Sequence, residues 1–240
     1  MWKRLLLLFL MVMLATALLS ANPRTDALPA QNAVPLPADA PKIIAFTFDD
    51  GPHRGSTDTL LDGLLERGAK ATFFLVGQEI DGARDLVRRM RDEGHQIGNH
   101  TWSHRRLDEL SKDETVQEIG KTDALLQSVA GDGAYWLRPP YGFLREDAKE
   151  FVNVPLILWS VDPRDWESRD AGKVFDAVLR DVRPGSIILM HDIYPTSVDA
   201  ALRLMDTLAA DGYRFVTVEE LLRQYGVTPV PGTSYRNANA

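Results

Sequence analysis

The stretch KIIAFTFDDGP occupies residues 42–52 and joins a mostly apolar run to a polar end. Residues 42–48 are a strand candidate that is apolar on both faces, as expected when helices cover both sides of a parallel sheet. Asp49 and Asp50 follow directly, and Gly51-Pro52 is a turn signal. Two adjacent carboxylates at the end of a buried strand repel each other unless a cation compensates them. The stretch therefore predicts a strand that brings a metal-binding carboxylate and a free carboxylate to a sheet edge.

Further apolar runs extend this prediction along the chain. The other strand candidates are residues 71–76, 96–98, 135–137, 156–160, 186–190 and 214–217. Apolar residues recur at helical spacing between them, for example Leu60, Leu61 and Leu64. Strands that alternate with helices indicate an α/β fold with a parallel sheet, either open and doubly wound or closed as a barrel.

Composition divides the chain into four segments. Residues 1–21 place basic residues before an uncharged apolar run, which is typical of a signal peptide or a membrane anchor. Residues 22–41 are rich in proline and predict a linker, residues 42–225 hold the folded domain, and residues 226–240 are predicted to be a flexible tail. We therefore expect an exported protein, periplasmic or extracellular, with a signal-anchored membrane form if the N-terminal segment stays uncleaved.

Net charge and cysteine content exclude several classes of protein. The formal net charge of −7 argues against a nucleic-acid-binding protein, whose binding face is normally basic. The chain has no cysteine, which excludes disulfides, a cysteine nucleophile and thiolate zinc ligands. The stability of the exported domain must then come from core packing.

Polar side chains follow the ends of the predicted strands throughout the domain. Beyond the two aspartates of the first strand, they are His100, His104, Arg138, Asp162 and His191. The carboxyl ends of parallel strands lie at one edge, which is where α/β proteins bind ligands. We therefore expect these residues, although distant in sequence, to form one active site.

His100 and His104 are the candidate metal-binding pair. Histidines four residues apart can bind one ion if the segment is helical or tightly turned. With one aspartate they form a set of two nitrogen ligands and one oxygen ligand that leaves positions open, which suits catalytic zinc or another divalent ion. Such an ion lowers the pKa of its bound water toward neutrality and so produces a nucleophile.

The remaining clusters offer groups for acid–base chemistry and for binding. Two prolines follow Arg138 and can aim its guanidinium at a carboxylate, which orients the acid and lowers its pKa. His191 ends an apolar strand and can act as a general acid, with Asp162 as the favoured carboxylate partner and Asp192 as an alternative. Trp166 lies in a loop beside acids, where it is either part of the core or a stacking platform for a sugar.

Taken in order, the motifs TFDDGP, HTWSH, RPPYG, DPRDW and IILMHD resemble the signature motifs of the polysaccharide deacetylases of the NodB-homology type, carbohydrate esterase family four. The resemblance covers roughly residues 42–220. It implies a single distorted (β/α) barrel with about seven parallel strands. It also implies a metal-dependent hydrolase that removes N-acetyl groups from a β-linked amino-sugar polymer.

The resemblance further implies a role for each matching residue. Asp49 would be the catalytic base, held by Arg138. Asp50, His100 and His104 would bind the metal ion.

The later motifs would complete the site. The backbone N–H of Tyr141 would help to stabilise the oxyanion, Trp166 would form a wall of the groove, and Leu189 would line the pocket for the acetyl methyl group. His191 would be the general acid, tuned by Asp162, although either aspartate of DPRDW can be its partner.

These assignments predict an N-acetylated glycan as the binding partner of a monomeric enzyme: peptidoglycan, chitin oligomers or a related envelope glycan. The expected cofactor is one divalent metal ion, zinc by default, with cobalt or nickel as alternatives. Three rival functions are an O-deacetylase of a polysaccharide such as acetylated xylan, a non-catalytic glycan-binding module, and an iron oxygenase with two histidines and one carboxylate. The oxygenase would leave Asp49, Arg138 and His191 without roles.

Overall fold

A computed structural model describes residues 41–239, except for the side chain of Lys149. The predicted α/β fold with parallel strands is confirmed, because every regular strand pair of the described residues is parallel. The strands are β1 (Ile43–Asp49), β2 (Thr72–Leu75), β3 (Gln96–Asn99), β4 (Leu156–Ile157), β5 (Ile187–His191), β6 (Arg214–Phe215) and β7 (Ser234–Tyr235).

The described strands form a five-stranded sheet and a two-stranded sheet rather than one continuous barrel ladder. The large sheet has the order β3-β2-β1-β5, with β6 paired to the first residues of β1, and β4 pairs with β7. Single parallel bridges join Asn99 to Leu137, Leu137 to Leu156, and Val161 to Ile188. Isolated bridges thus link β3 to β4 and link Val161, downstream of β4, to β5, but the described residues form no closed barrel.

Prolines limit strand pairing between β3 and β5, where only isolated bridges and short strands form. Pro139 and Pro140 follow the bridge at Leu137, and Pro163 follows the bridge at Val161. Proline has no N–H to donate to a strand ladder, so each predicted strand stops after a short run. The candidate at residues 135–137 accordingly contributes two isolated bridges, both at Leu137, instead of a strand.

β1 separates two apolar layers. Phe46 and Phe48 pack in the cluster formed with the surrounding helices, whereas Ile43 and Ala45 pack with residues of the C-terminal helix and β7. Side chains two residues apart in a strand share a face. Asp49 therefore lies on the inner face of the sheet, at the carboxyl end of its central strand.

Most of the helices cover the outer face and correspond to the predicted helical faces, although Leu65 and Val116 are exposed. Ser111 caps the longest helix through a reciprocal capping box with Glu114. The helices are α1 (Ser56–Glu66), α2 (Gly77–Ile80), α3 (Arg84–Asp92), α4 (Lys112–Ala130), α5 (Asp165–Ser168), α6 (Ala171–Asp181), α7 (Pro195–Ala210) and α8 (Val218–Gln224).

The predictions for the two chain ends have different outcomes. The predicted signal peptide or anchor at residues 1–21 and almost all of the linker at 22–41 lie outside the described residues. Within residues 41–239, no helix has both the length and the apolar character needed to cross a bilayer.

The prediction of a flexible tail is wrong for residues 233–238. β7 pairs with β4, and Tyr235 and Ala238 are buried. The N–H of Leu158 donates to the carbonyl of Tyr235 at 2.8 Å. Without this segment, backbone groups of β4 would lack hydrogen-bond partners, which is costly for buried groups. A strand of two residues is too short for its sequence pattern to predict this pairing.

Candidate active site

Strand register brings the polar clusters to one edge. Asp49 is paired with His191 of β5 on one side and with Phe74 of β2 on the other. Asn99 ends β3 and bridges to Leu137, so the residues that follow them, His100 and Arg138, are also neighbours. The expectation that distant polar residues lie together is met by the sheet topology.

Arg138 holds Asp49 from inside the fold. Its side chain is fully buried, and Nη1 donates to Asp49 Oδ1 and to Thr47 Oγ1, both at 2.7 Å. Nε and Nη2 donate at 3.1 Å to the carbonyls of Ile157 and Leu158. Because four hydrogen bonds fix the guanidinium, it orients the Asp49 carboxylate rather than merely neutralising it.

The pKa of Asp49 differs from the sequence expectation. Arg138 was expected to lower it, and its charge and hydrogen bond act in that direction, as does the charge of His191. Burial is the largest influence, however, and the pKa of Asp49 is raised above its ordinary value. A carboxylate with a raised pKa is a stronger base once it is ionised.

Asp50, His100 and His104 form the candidate metal centre. Their ligand atoms lie within 4.8 Å of one another. Asp50 Oδ1 is 3.5 Å from His100 Nε2 and 3.1 Å from His104 Nε2. Ligands bound tetrahedrally to one zinc ion at about 2.1 Å would be roughly 3.4 Å apart, so this spacing fits a small divalent cation.

Two further observations support the fit. Asp50 Oδ1 is buried without a hydrogen-bond partner, which is costly unless a cation compensates it. His100 Nδ1 lies 2.7 Å from the carbonyl of Arg138 and must donate to it, which leaves the Nε2 lone pair for a metal ion. Burial, the main influence, lowers the pKa of His100 to about 3, so the imidazole is neutral as a ligand requires.

The HTWSH segment is a tight turn rather than a helix. Thr101 and His104 have left-handed φ values of 68° and 57°. The turn is held by Glu118 of α4, which accepts hydrogen bonds from the N–H and the hydroxyl of Ser103 at 2.8 and 2.7 Å. Asn99 accepts from the N–H of Thr101 at 2.7 Å.

Sequence reasoning missed Glu118 and Asn99 as supports of the metal ligands. Asn99 stands directly before His100, but a single asparagine carries no distinctive signal. Glu118 lies on a helix that contains several other acidic and polar residues, so nothing in its local sequence marks it.

Asp165, not Asp162, is the carboxylate partner of His191. His191 Nδ1 lies 2.8 Å from Asp165 Oδ1, and the backbone N–H of His191 donates to Asp165 Oδ2 at 2.8 Å. Asp162 instead accepts from the N–H of Arg164 at 2.9 Å within its own turn. The assignment of Asp162 as direct partner is therefore wrong, because the turn at Arg164 directs the later aspartate inward.

The surroundings of His191 favour its protonated form. Burial is the largest influence and opposes the charge, but the hydrogen bond and charge of Asp165, followed by the charges of Asp49 and Asp50, outweigh it. The pKa of His191 is raised to about 9. An imidazole that holds a proton at neutral pH can donate it to a leaving group.

Three predicted substrate-binding residues lie at or beneath the mouth. Tyr141 is exposed, has a left-handed φ of 60°, and places its ring 4.8 Å from that of His104. Trp166 is also exposed, in α5. Leu189 is buried in β5 two residues before His191, and thus on the same strand face.

The remaining histidines and Asp192 make structural contacts. His53 Nδ1 lies 2.9 Å from the hydroxyl of Ser56. His95 packs edge-on against Phe73 and has a pKa lowered to about 4, mainly by burial. Asp192, the alternative partner of His191, is instead fully buried and accepts a 2.5 Å hydrogen bond from Thr57.

Gly51 has no room for a side chain, because Asp192 lies against it. A Cβ at Gly51 would be 2.5 Å from Asp192 Oδ1, and Gly51 directly follows the candidate ligand Asp50. We expect Gly51→Ala to destabilise the protein by about 1–3 kcal/mol and to weaken metal binding, since the turn must shift. Denaturant unfolding and metal titration measure the two effects.

Gly120→Ala is the matched control. It lies within α4, where an added Cβ meets nothing within 4 Å, so it should be neutral or stabilising. Wild-type stability and metal affinity in Gly51→Ala would show that Asp192 does not constrain the turn.

Comparison with known proteins finds relatives named for glycan deacetylation. A family model described as polysaccharide deacetylase matches residues 37–153. The chain is 38% identical over 180 residues to the peptidoglycan-N-acetylmuramic acid deacetylase PdaC of Bacillus subtilis, covering 75% of this chain and 38% of that protein. It is 36% identical over 191 residues to a peptidoglycan-N-acetylglucosamine deacetylase of Bacillus cereus, covering 76% and 89% respectively.

A solved structure extends the similarity to most of the chain. The family 4 acetyl xylan esterase from Clostridium thermocellum, in complex with a cobalt ion, matches with a TM-score of 0.79 and 35% sequence identity. The match covers 83% of this chain and 100% of that chain. PdaC is much longer, since this chain spans only 38% of its length.

Proposed function

Because this chain belongs to the polysaccharide deacetylase family, as its sequence motifs predict, we propose that it is a metal-dependent hydrolase that removes N-acetyl groups from a β-linked amino-sugar polymer. The observation that carries the proposal is one site that contains three kinds of group. These are the Asp50, His100 and His104 set, the Asp49–Arg138 pair and the His191–Asp165 pair. A glycan-binding module would need none of the acid–base pairs.

Asp50, His100 and His104 would hold one divalent ion, with zinc as the proposed metal. When bound, the ion acts as a Lewis acid toward the acetyl carbonyl and lowers the pKa of water. The bound cobalt named for the esterase structure supports a divalent ion of this class. Asp50 Oδ1 is buried without a hydrogen-bond partner, and a bound cation would compensate the cost of burying this charge.

Asp49 would remove a proton from the attacking water, in the orientation that Arg138 imposes on its carboxylate. The water oxygen forms a bond to the acetyl carbon, and the backbone N–H of Tyr141 would stabilise the resulting oxyanion. His191 would then donate its proton to the sugar nitrogen as the C–N bond breaks. Acetate and a free amine leave.

The proposed substrate is a glycan of the cell envelope, which an exported enzyme would meet. A cavity of about 360 Å³ lies beside Asp50 and His104 and is large enough for one sugar unit with its acetyl group. Peptidoglycan is the polymer named for PdaC and for the Bacillus cereus relative, and the apolar N-terminal run supports export. Chitin oligomers present the same N-acetyl group and remain within the proposal.

Release of free acetate from a panel of glycans tests this function. We expect the purified protein to release acetate from peptidoglycan strands or N-acetylglucosamine oligomers, to lose this activity on chelation, and to regain it when zinc is added. The family 4 esterase makes acetylated xylan the proper alternative substrate. Acetate from xylan alone would assign an O-deacetylase, and no acetate from any N-acetylated glycan would refute N-deacetylation.

A further inference from the structure

Arg169 occupies an unusual position beside the active site. It is exposed and directly follows α5, the helix that contains Asp165 and Trp166. Its backbone is left-handed, with φ of 48°. Such a conformation is unfavourable for a residue other than glycine, and residues strained in this way cluster at functional sites.

The Arg169 side chain is fixed without a carboxylate. Nε donates to the carbonyl of Trp166 at 2.7 Å, and the guanidinium carbon lies 3.4 Å from the centre of the Tyr194 ring. No carboxylate of the described residues lies within ion-pair distance of it, whereas Arg164, at the other end of α5, pairs with Glu167 at 2.7 Å. The positive charge of Arg169 is thus held in place but not neutralised.

Tyr194 connects this charge to the catalytic residues. Its ring centre lies 6.2 Å from that of His191. The pKa of Tyr194 is raised, mainly by partial burial, and the charges of Arg169, Asp50 and Asp165 all act on it. Arg169 therefore lies at the rim of the same mouth, against the tyrosine that neighbours the proton donor.

We propose that Arg169 selects glycans that carry a carboxylate next to the sugar being deacetylated. The Arg169 guanidinium also interacts with the Tyr194 hydroxyl but retains further terminal N–H groups, with which it can bind a carboxylate. The proposal rests on the proposed function and narrows it to acidic amino-sugar polymers over neutral ones.

Two carboxylates could supply this group in peptidoglycan: the lactyl group of muramic acid, or an acidic residue of the stem peptide. Both are carboxylates on an otherwise neutral N-acetylated backbone. Strands stripped of peptide retain only the first, intact strands carry the second, and N-acetylglucosamine oligomers have neither. These three substrates therefore separate the two sources.

The test compares kcat/KM for acetate release by the wild type, Arg169→Gln and Arg169→Lys on the three substrates. We expect Arg169→Gln to lower the ratio of kcat/KM on carboxylate-bearing strands to that on neutral oligomers about tenfold, mainly through KM. Arg169→Lys should restore part of the ratio, because it keeps the charge but loses the planar fork. High salt should reduce the wild-type ratio.

Arg180→Gln is the matched control, because it removes an exposed charge that Asp181 already neutralises on α6, the next helix along the chain. Its ratio should equal that of the wild type. An Arg169→Gln ratio equal to the wild-type ratio would overturn the proposal, and so would an equal loss on all substrates, which indicates a purely positioning role.

A binding measurement keeps this inference separate from the proposed reaction. Affinity for the same glycans is measured for Asp49→Asn with and without Arg169→Gln. A selective loss of affinity for acidic strands supports carboxylate recognition even if the wild type releases no acetate, a result that would refute the deacetylase function alone. Equal affinities would overturn carboxylate recognition whatever the activity.

Discussion

Asp49→Asn is expected to lower kcat for acetate release by about a thousandfold while the protein still binds its metal ion. The amide cannot accept the proton of the attacking water, and a positioned general base contributes about 10²–10⁴ in rate. Metal binding should persist because the candidate ligands are Asp50, His100 and His104. Acetate release and isothermal metal titration of the same preparation give the two results.

Arg138 makes a stability control necessary. Its buried guanidinium loses the Asp49 counter-charge in this variant, and breaking a buried ion pair destabilises a protein. The Tm of Asp49→Asn should therefore fall, and activity must be measured well below it. Asp85→Asn is the matched control, because it neutralises an exposed carboxylate that is paired with Arg54. Full activity of Asp49→Asn would refute the base assignment, and loss of metal binding would make Asp49 a ligand.

The sequence predicts the position of the site more reliably than its internal contacts. Asp49 and His191 could be placed together because both end buried strands, and parallel strand ends meet at one edge. The pairing of His191 with Asp165 could not be deduced, because it depends on the left-handed turn at Arg164, φ 53°. Local sequence does not determine which of two aspartates three positions apart such a turn directs inward.

Local sequence also fails to determine the pairing of β7 and the direction of the Asp49 pKa shift. β7 is too short to show the alternation of apolar and polar residues that marks a strand. Its pairing with β4 depends on the folded domain, in which β4 is available as a partner. The raised pKa of Asp49 depends on burial, a property of the folded protein, whereas the Arg138 contact that opposes it follows from the motif pattern. Burial thus raises the pKa of Asp49 where the sequence predicts a lowered one, although Arg138 is the predicted partner.

Asp165→Asn should lower kcat by about a hundredfold and move the alkaline limb of the pH–rate profile to lower pH. The Asp165 carboxylate accepts from both the N–H and the Nδ1 of His191, whereas an amide offers only one accepting oxygen. Losing the charge removes a group that raises the pKa of His191 toward 9. A general acid must be protonated to act, so activity is lost as pH rises through its pKa, and a lower pKa brings that loss earlier.

Asp162→Asn distinguishes this account from the one that the sequence favours. Asp162 makes no hydrogen bond to His191 but lies close enough for the two charges to interact, so its removal should shift the alkaline limb in the same direction and by less. Profiles of kcat against pH for both variants and the wild type provide the comparison. A larger shift in Asp162→Asn than in Asp165→Asn would mean that the His191 side chain turns toward Asp162 during the reaction. An unchanged limb in both would mean that a different group donates the proton to the leaving amine.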